Sequence, residues 1–554
     1  MRTPFDPFGI YAASWEVFNA WLAHPYRLGE EATKLWTEFW ALQTWQRLTG
    51  AVDHEDLVPP ARYDERFEDP AWIENPFLDT LKETYLLYTH WLEDAIFETP
   101  WVDEKTRRRA AFGAREVLNA LAPSNFFWSN PVAIKRFVET GGMSALRGTA
   151  NFLADAGKGT ISMVDERQFK LGENLATTPG AVIFRNEVLE LIQYSPTTDR
   201  VHAVPIVIVA PWINKYYILD LERRKSLVRF LVDQGFTVFI TSWKNPGPEA
   251  RFTTLDDYML KGALKAVEVA LDICRVPRVH LAGYCIGGTI VAALLAWLSR
   301  ETQPDNRAVV EHATLLTTLV EFSRPGDIDV FLDAESLDAI EALMAPSGYL
   351  DGKCMAASFR LLRSNSLIWR YWVHNYLYGE TPPPFDVLYW NTDATRLPKA
   401  MHTFYLRNLY LENKLIRRDA LRLGGRPIDL GRITQPLYVV GTEQDHITPW
   451  LSTFRICSSI KGPVRYVLAT SGHIMGILSP PVQPPKRHYW AGDATRWEDP
   501  QAWQASLDKV AGSWWDDWSS WLKYRCGKQA PPPPMGSETY RPLAEAPGTY
   551  VLQR

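Results

Sequence analysis

The chain has 554 residues, 46% of them hydrophobic and 22% charged, with a formal net charge of −5. That length predicts two or three structural units around a large core, and nothing in the charge balance suggests nucleic acid as a partner, so none is expected. The five cysteines, at 274, 285, 354, 457 and 526, form neither a disulfide framework nor a CxxC metal spacing, so a reducing cytoplasm and no bound metal are expected.

The N-terminal MRTPFDPFGIYAASWEVFNAW lacks a basic region followed by an apolar run and cleavage site, so no signal peptide is expected. Helical periodicity interrupted by Pro-rich joints (EDPAWIENPF, NALAPSNFFWSNP) predicts a helical, Trp-rich region over residues 1 to about 170. Within it, ATKLWTEFWALQTWQRL puts Leu35, Phe39 and Leu42 on one helical face, with Trp36 and Trp40 one step round. A helix docked on a core is expected. The alternative is an aromatic surface that meets a hydrophobic phase or partner; the chain holds 23 Trp, many in this region and near the C-terminal end.

From about residue 171, β-rich apolar runs (AVIFRNEVLELIQY, PIVIVAP, GFTVFITSW, RVHLAGY, HATLLTTL) are separated by helix-length segments. That alternation predicts a mostly parallel sheet with crossover helices. It stops at about 325 and resumes near 425 with QPLYVVG and VRYVLATSG. The intervening aromatic, Pro-interrupted stretch is expected to form a cap or lid. The tail, about 529–554, is Pro-rich and expected to run extended over the surface. The apolar run Ile290–Leu298 is too short to span a bilayer, and no transmembrane segment is expected.

Chemistry concentrates in LAGYCIGGTIVAAL. A strand followed at once by a helix places Cys285 on a sharp turn, with Gly283, Gly287 and Gly288 relieving the crowding. The helix N-terminus favours an anion there, and the Ile286 N–H is placed to bind an oxyanion. A buried, inert cysteine beside a tight turn would share the Gly-x-Cys-x-Gly pattern. Two later segments decide against it: Asp445 follows one β run in GTEQDHITPW, and His473 follows the next in SGHIMGI. The order Cys285, Asp445, His473 is the nucleophile–acid–base order of the α/β-hydrolase fold. His446 competes for the role of base but sits on the acid loop, where it could orient Asp445 or the cap. The second oxyanion donor is expected after PIVIVAP, at the Trp212 N–H with Ile213 as the alternative; Asn214, Lys215 and Tyr216 lie near the expected mouth.

With GYCIGGT, PWINKYYILDL, VLYWNTDATRLP, FYLRNLYLENKL, GTEQDHITPW and SGHIMGI side by side, the sequence resembles the polyhydroxyalkanoate synthases from about residue 60 onward. The resemblance implies Cys285 as nucleophile, Asp445 and His473 as its acid and base, and Trp390 at a position linked to activity or dimer contacts. The Cys-Ile-Gly-Gly-Thr box is similar to the short-chain class that works without a second subunit. It also implies 3-hydroxyacyl-CoA substrates, a growing polyester chain, no cofactor beyond the coenzyme A released as product, a homodimer, and a cytoplasmic place on polymer granules beside granule-associated proteins. The competing expectations are a cysteine thioesterase or esterase on the same fold, and a non-catalytic granule coat.

Overall fold

The structure, a computed structural model, describes residues 6–49, 56–61, 64–300 and 309–554. It divides into two compact units, Met1–Glu166 with Ala357–Phe385, and Arg167–Ala356 with Asp386–Arg554.

The first unit is helical. Its helices include Ile10–Ala23, Pro25–Thr49, Pro76–Phe97, Glu104–Ala120 and Met143–Lys158. The sequence sets the entries: Asn75 caps the third of these, accepting from the N–H of Phe77 and Leu78, with Pro76 in the first turn. Ala13 and Val17 pack with Ile96, Val102, Ala110 and Ala111. Leu42 is buried as expected for a docked helix, while Trp36 and Trp40 on the neighbouring stripe are exposed, as are Trp15, Trp101 and Trp128.

The stretch expected as one cap, about 325–425, is divided between the units. Its middle belongs to the helical unit because its polar and aromatic side chains are satisfied there. Asn375 Nδ2 donates to Ser162 O at 2.7 Å, Trp372 Nε1 to Asn125 O at 3.1 Å, and Tyr376 OH to Asp155 Oδ2 at 2.9 Å. Aromatic, Pro-interrupted sequence marks a departure from the βα alternation but does not say which core it joins.

The second unit holds an 11-stranded sheet. In chain order its strands are β1 (Gly180–Arg185), β2 (Leu189–Tyr194), β3 (Ile206–Val209), β4 (Val238–Trp243), β5 (Val279–Tyr284), β6 (Val310–Leu316), β7 (Leu437–Thr442), β8 (Val464–Ala469), β9 (His488–Asp493), β10 (Val510–Ala511) and β11 (Ala544–Glu545). Their spatial order is β10-β9-β8-β7-β6-β5-β3-β4-β2-β1-β11. The run from β4 to β8 is parallel, and the strands at both edges are antiparallel. The central strands are continuous apolar runs because helices cover both faces. The helix Ile286–Leu298 is apolar all round and buried from Ile286 to Trp297. The Pro-rich tail is paired rather than merely lying on the surface: Ala544–Glu545 adds an edge strand to the large sheet against Ala181 and Val182, and Gln529–Ala530 forms a separate two-stranded sheet with Val201–His202. Among the described residues, no helix is long and apolar enough to cross a membrane.

Candidate active site

Cys285 stands between β5 and the helix Ile286–Leu298 with φ 54° and ψ −124°. A non-glycine residue in that region is strained, and such strain gathers at functional turns. Three contacts hold it. Cys285 N donates to Leu316 O at 2.8 Å, and its carbonyl accepts from the N–H of Gly288 at 2.9 Å and Thr289 at 3.2 Å. The glycines are dictated by close approach: a Cβ on Gly283 would strike the Gly288 backbone, one on Gly287 the carbonyls of Val209 and Ala210, and one on Gly288 the Thr318 side chain. The helix therefore sits directly on the end of β3, whose Val209 pairs with Gly283 of β5. Its first N–H groups, Ile286 among them, have no intrahelical carbonyl to serve. Cys285 is partly accessible.

Asp445 and His473 leave the C-terminal ends of the paired parallel strands β7 and β8. His473 Nδ1 lies 2.7 Å from Asp445 Oδ2. A carboxylate only accepts, so Nδ1 carries a proton whatever the charge of the ring, and Nε2 is the nitrogen left to exchange a proton with a thiol or hydroxyl; the imidazole also hydrogen-bonds the Cys285 sulfur. Asp445 is held rigidly: Oδ1 accepts from the N–H of Ile447 at 2.9 Å and Thr448 at 2.8 Å, and Oδ2 from the hydroxyls of Thr448 at 2.7 Å and Thr442 at 3.1 Å. Burial opposes the charge of Asp445, but His473 and these donors keep its carboxyl below the usual range. Burial likewise opposes a charge on His473, and Asp445 and Cys285 outweigh it, pushing the imidazole up to about 10. Tyr284 stacks on the ring, centroids 5.6 Å apart. This arrangement can take a proton from a thiol or hydroxyl and return it to a leaving group.

The other residues singled out from the sequence fall into three groups. Trp212 lies just beyond β3, with its indole buried against Trp243 and Tyr258. Its carbonyl and that of Ile213 accept from the Thr395 hydroxyl, so the peptides carrying the N–H of Ile213 and of Asn214 are fixed in orientation. Asn214 bridges to Ala394, and Trp390 Nε1 donates to Lys215 O at 2.6 Å; both act on the loop rather than on the triad. Tyr216 is not at the mouth. It is 2% exposed and lies in a buried group with Tyr194 and Asp220, because the turn Tyr216–Asp220 is buried at every position. His446 is held through its carbonyl, which accepts from Asp327 N at 3.2 Å; the partner of Asp445 is His473.

Two tyrosines near the sulfur escaped the sequence reading. Burial, then Tyr410, then the Cys285 sulfur push Tyr405 well above the usual range. Burial also raises Tyr410, with Tyr405 opposing and the sulfur adding to it. Phe322 packs on both rings, with centroids at 6.3 and 4.8 Å. Their only signal is their place in FYLRNLYLENKL.

Comparison with known proteins gives the family and the fold. Residues 63–231 match the family model described as the poly-beta-hydroxybutyrate polymerase (PhaC) N-terminus, and residues 216–480 match the alpha/beta hydrolase fold. The chain is 42% identical over 550 residues to the poly(3-hydroxyalkanoate) polymerase of Methylorubrum extorquens, covering 97% of this chain and 89% of that one. It is 41% identical over 533 residues to the poly(3-hydroxyalkanoate) polymerase subunit PhaC of Cupriavidus necator, covering 95% and 88%. A strand-to-helix cysteine, a buried Asp–His pair at neighbouring strand ends and near-complete relatives lead to one assignment: the chain belongs to the poly(3-hydroxyalkanoate) polymerase family, acyltransferases built on the α/β-hydrolase fold.

Proposed function

We propose that the chain polymerises short-chain (R)-3-hydroxyacyl-CoA thioesters through acyl intermediates on Cys285. The observation that carries this is the continuous connection from Asp445 through His473 to the sulfur at the elbow.

His473 takes the thiol proton as the Cys285 sulfur attacks the thioester carbonyl. The amides of Ile286 and of Trp212 or Ile213 hold the oxyanion. The thioester bond to coenzyme A breaks, and the departing sulfur receives the proton from His473. One thioester replaces another, so the acyl group stays activated, which an ester to serine would not achieve. Acylation also converts the thiol to a thioester. That removes two of the causes that raise His473, so the imidazole moves toward its neutral form when it must act as a base again. It then takes the proton of an incoming 3-hydroxyl as that oxygen attacks acyl-Cys285. An ester forms, the thiol is restored, and the chain, one unit longer, sits on coenzyme A. Cys285 recaptures it as coenzyme A leaves. Water must be kept out for the hydroxyl to win, and the cluster of Phe322, Tyr405 and Tyr410 beside the sulfur supports that reading. The protein acts as a homodimer on the surface of cytoplasmic polymer granules, where granule-associated proteins are its neighbours; the exposed Trp15, Trp36 and Trp40 of the helical unit support contact with an apolar phase.

The test is incubation with 3-hydroxyacyl-CoA thioesters of graded length, following coenzyme A release and turbidity together. Release with insoluble polyester, greatest for the short acyl groups, is expected. Release with only monomeric hydroxyacid would make the chain a thioesterase.

A further inference from the structure

Lys215 follows the oxyanion loop by two residues, and its side chain is 4% exposed. Nζ donates to the carbonyls of Val551 at 2.7 Å and Gln553 at 2.6 Å, and meets Asp393 Oδ1 at 2.9 Å. These contacts occupy all three donors of the ammonium. The other oxygen of Asp393 accepts from Tyr217 OH at 3.0 Å, and the Lys215 carbonyl is held by Trp390.

The tail that receives Lys215 is itself fixed. The N–H groups of Thr549 and Tyr550 donate to the buried Glu190 of β2, both at 2.9 Å. Asn245, just past β4, donates its N–H to Gln553 Oε1 at 3.1 Å, and Arg396 donates to Arg554 O at 3.0 Å. Burying an ammonium costs several kcal/mol, so a paired buried charge is a poor means of gaining stability. It is an effective means of fixing position, since the three acceptors lie in one arrangement and each is anchored to the sheet or to the segment beside the loop.

We propose that Lys215 is a positioning residue for acyl transfer: through it the turn at Tyr550–Leu552 sets where the amides of Trp212 and Ile213 lie relative to Cys285. This rests on the reading of that loop as half of the oxyanion site. It predicts that residues far along the chain from the triad control the acylation step while leaving the nucleophile intact.

Two reactions of Cys285 separate this from a merely structural role. Acylation by a 3-hydroxyacyl thioester passes through an oxyanion; alkylation by iodoacetamide does not. With the full chain, Lys215→Met is expected to slow single-turnover acylation by about 10- to 100-fold, the scale of a misplaced oxyanion donor. Alkylation should stay within about two-fold of wild type on that reasoning. Removal of residues 551–554 should do the same, and the combined variant should be no slower than the slower single one. If Lys215→Met does not fold, the two rates measured on the 551–554 deletion decide the matter. Loss of both reactions together, an unchanged acylation rate, or multiplied losses in the combined variant would overturn the proposal. A wild-type chain that alkylates but does not acylate would instead overturn the polymerase reading.

Discussion

Replacing Asp445 with Asn tests the acid–base relay most sharply, because the surroundings dictate how the amide must sit. Asp445 Oδ1 accepts two backbone N–H groups, from Ile447 and Thr448. An asparagine therefore keeps its carbonyl oxygen there and turns its NH2 toward His473 Nδ1. A donor then faces a donor, and the imidazole is driven to the tautomer with its proton on Nε2, the nitrogen that must accept from Cys285. The same exchange in serine-protease triads costs about 10⁴-fold. With three hydrogen bonds of the carboxylate surviving in some form, about 10³- to 10⁴-fold is expected here, or roughly 4 to 5.5 kcal/mol at 1.36 kcal/mol per decade. Asp445 is also the strongest of the causes that raise His473, so the rising limb of the kcat profile should move to lower pH. The assay is coenzyme A release from a short 3-hydroxyacyl-CoA, beside Cys285→Ala and His473→Ala, on protein shown by circular dichroism to be folded. A rate within ten-fold of wild type would show that Asp445 does not set the tautomer. A loss as complete as that of Cys285→Ala would show that it does more than orient.

Gly287→Ala would press a methyl group against the carbonyls of Val209 and Ala210; about 1–3 kcal/mol of stability and at least about 100-fold in coenzyme A release should be lost, as read by thermal unfolding and turnover. His280 and His312, buried and 2.5 Å apart at Nδ1, are held neutral: burial drives His280 well below the ordinary value of 6.5 and His312 to about 4. Their folded values are depressed, so the stability they carry is present above pH 6.5 and is lost as pH falls from 6.5 toward 4, at up to about 1.4 kcal/mol per pH unit for each ring. Denaturant midpoints should fall over that window, and His312→Gln should flatten the dependence; an unchanged slope would refute the assignment. Removing residues 1 to about 90 should weaken granule attachment or dimerisation, measured by sedimentation with polymer and by light scattering, more than it alters Cys285 alkylation.

The parts of this site legible from sequence are those whose chemistry is local. Cys285 is announced by glycines within three positions, each required by a backbone approach. Asp445 and His473 follow apolar runs that become β7 and β8, so strand ends and motif coincide. Tyr405 and Tyr410 were not legible, because aromatic residues in a Pro-interrupted segment read alike whether they line a site or fill a core. Tyr216 shows the reverse error: its place beside the oxyanion loop suggested the mouth, but its turn is buried throughout against Tyr194 and Asp220. The role of Lys215 is not legible in the sequence, since its partners Val551 and Gln553 lie more than 300 residues away. The division of the aromatic insertion rests on contacts such as Asn375 with Ser162 that no periodicity encodes.

The most direct measurement is mass spectrometry of the chain quenched during turnover with a short 3-hydroxyacyl-CoA. A ladder of adducts, spaced by one hydroxyacyl unit, confined to the peptide bearing Cys285 and absent from Cys285→Ala, is the expected result. Polymer formed without any adduct on that peptide, or with the adduct elsewhere, would contradict Cys285 as the carrier of the growing chain.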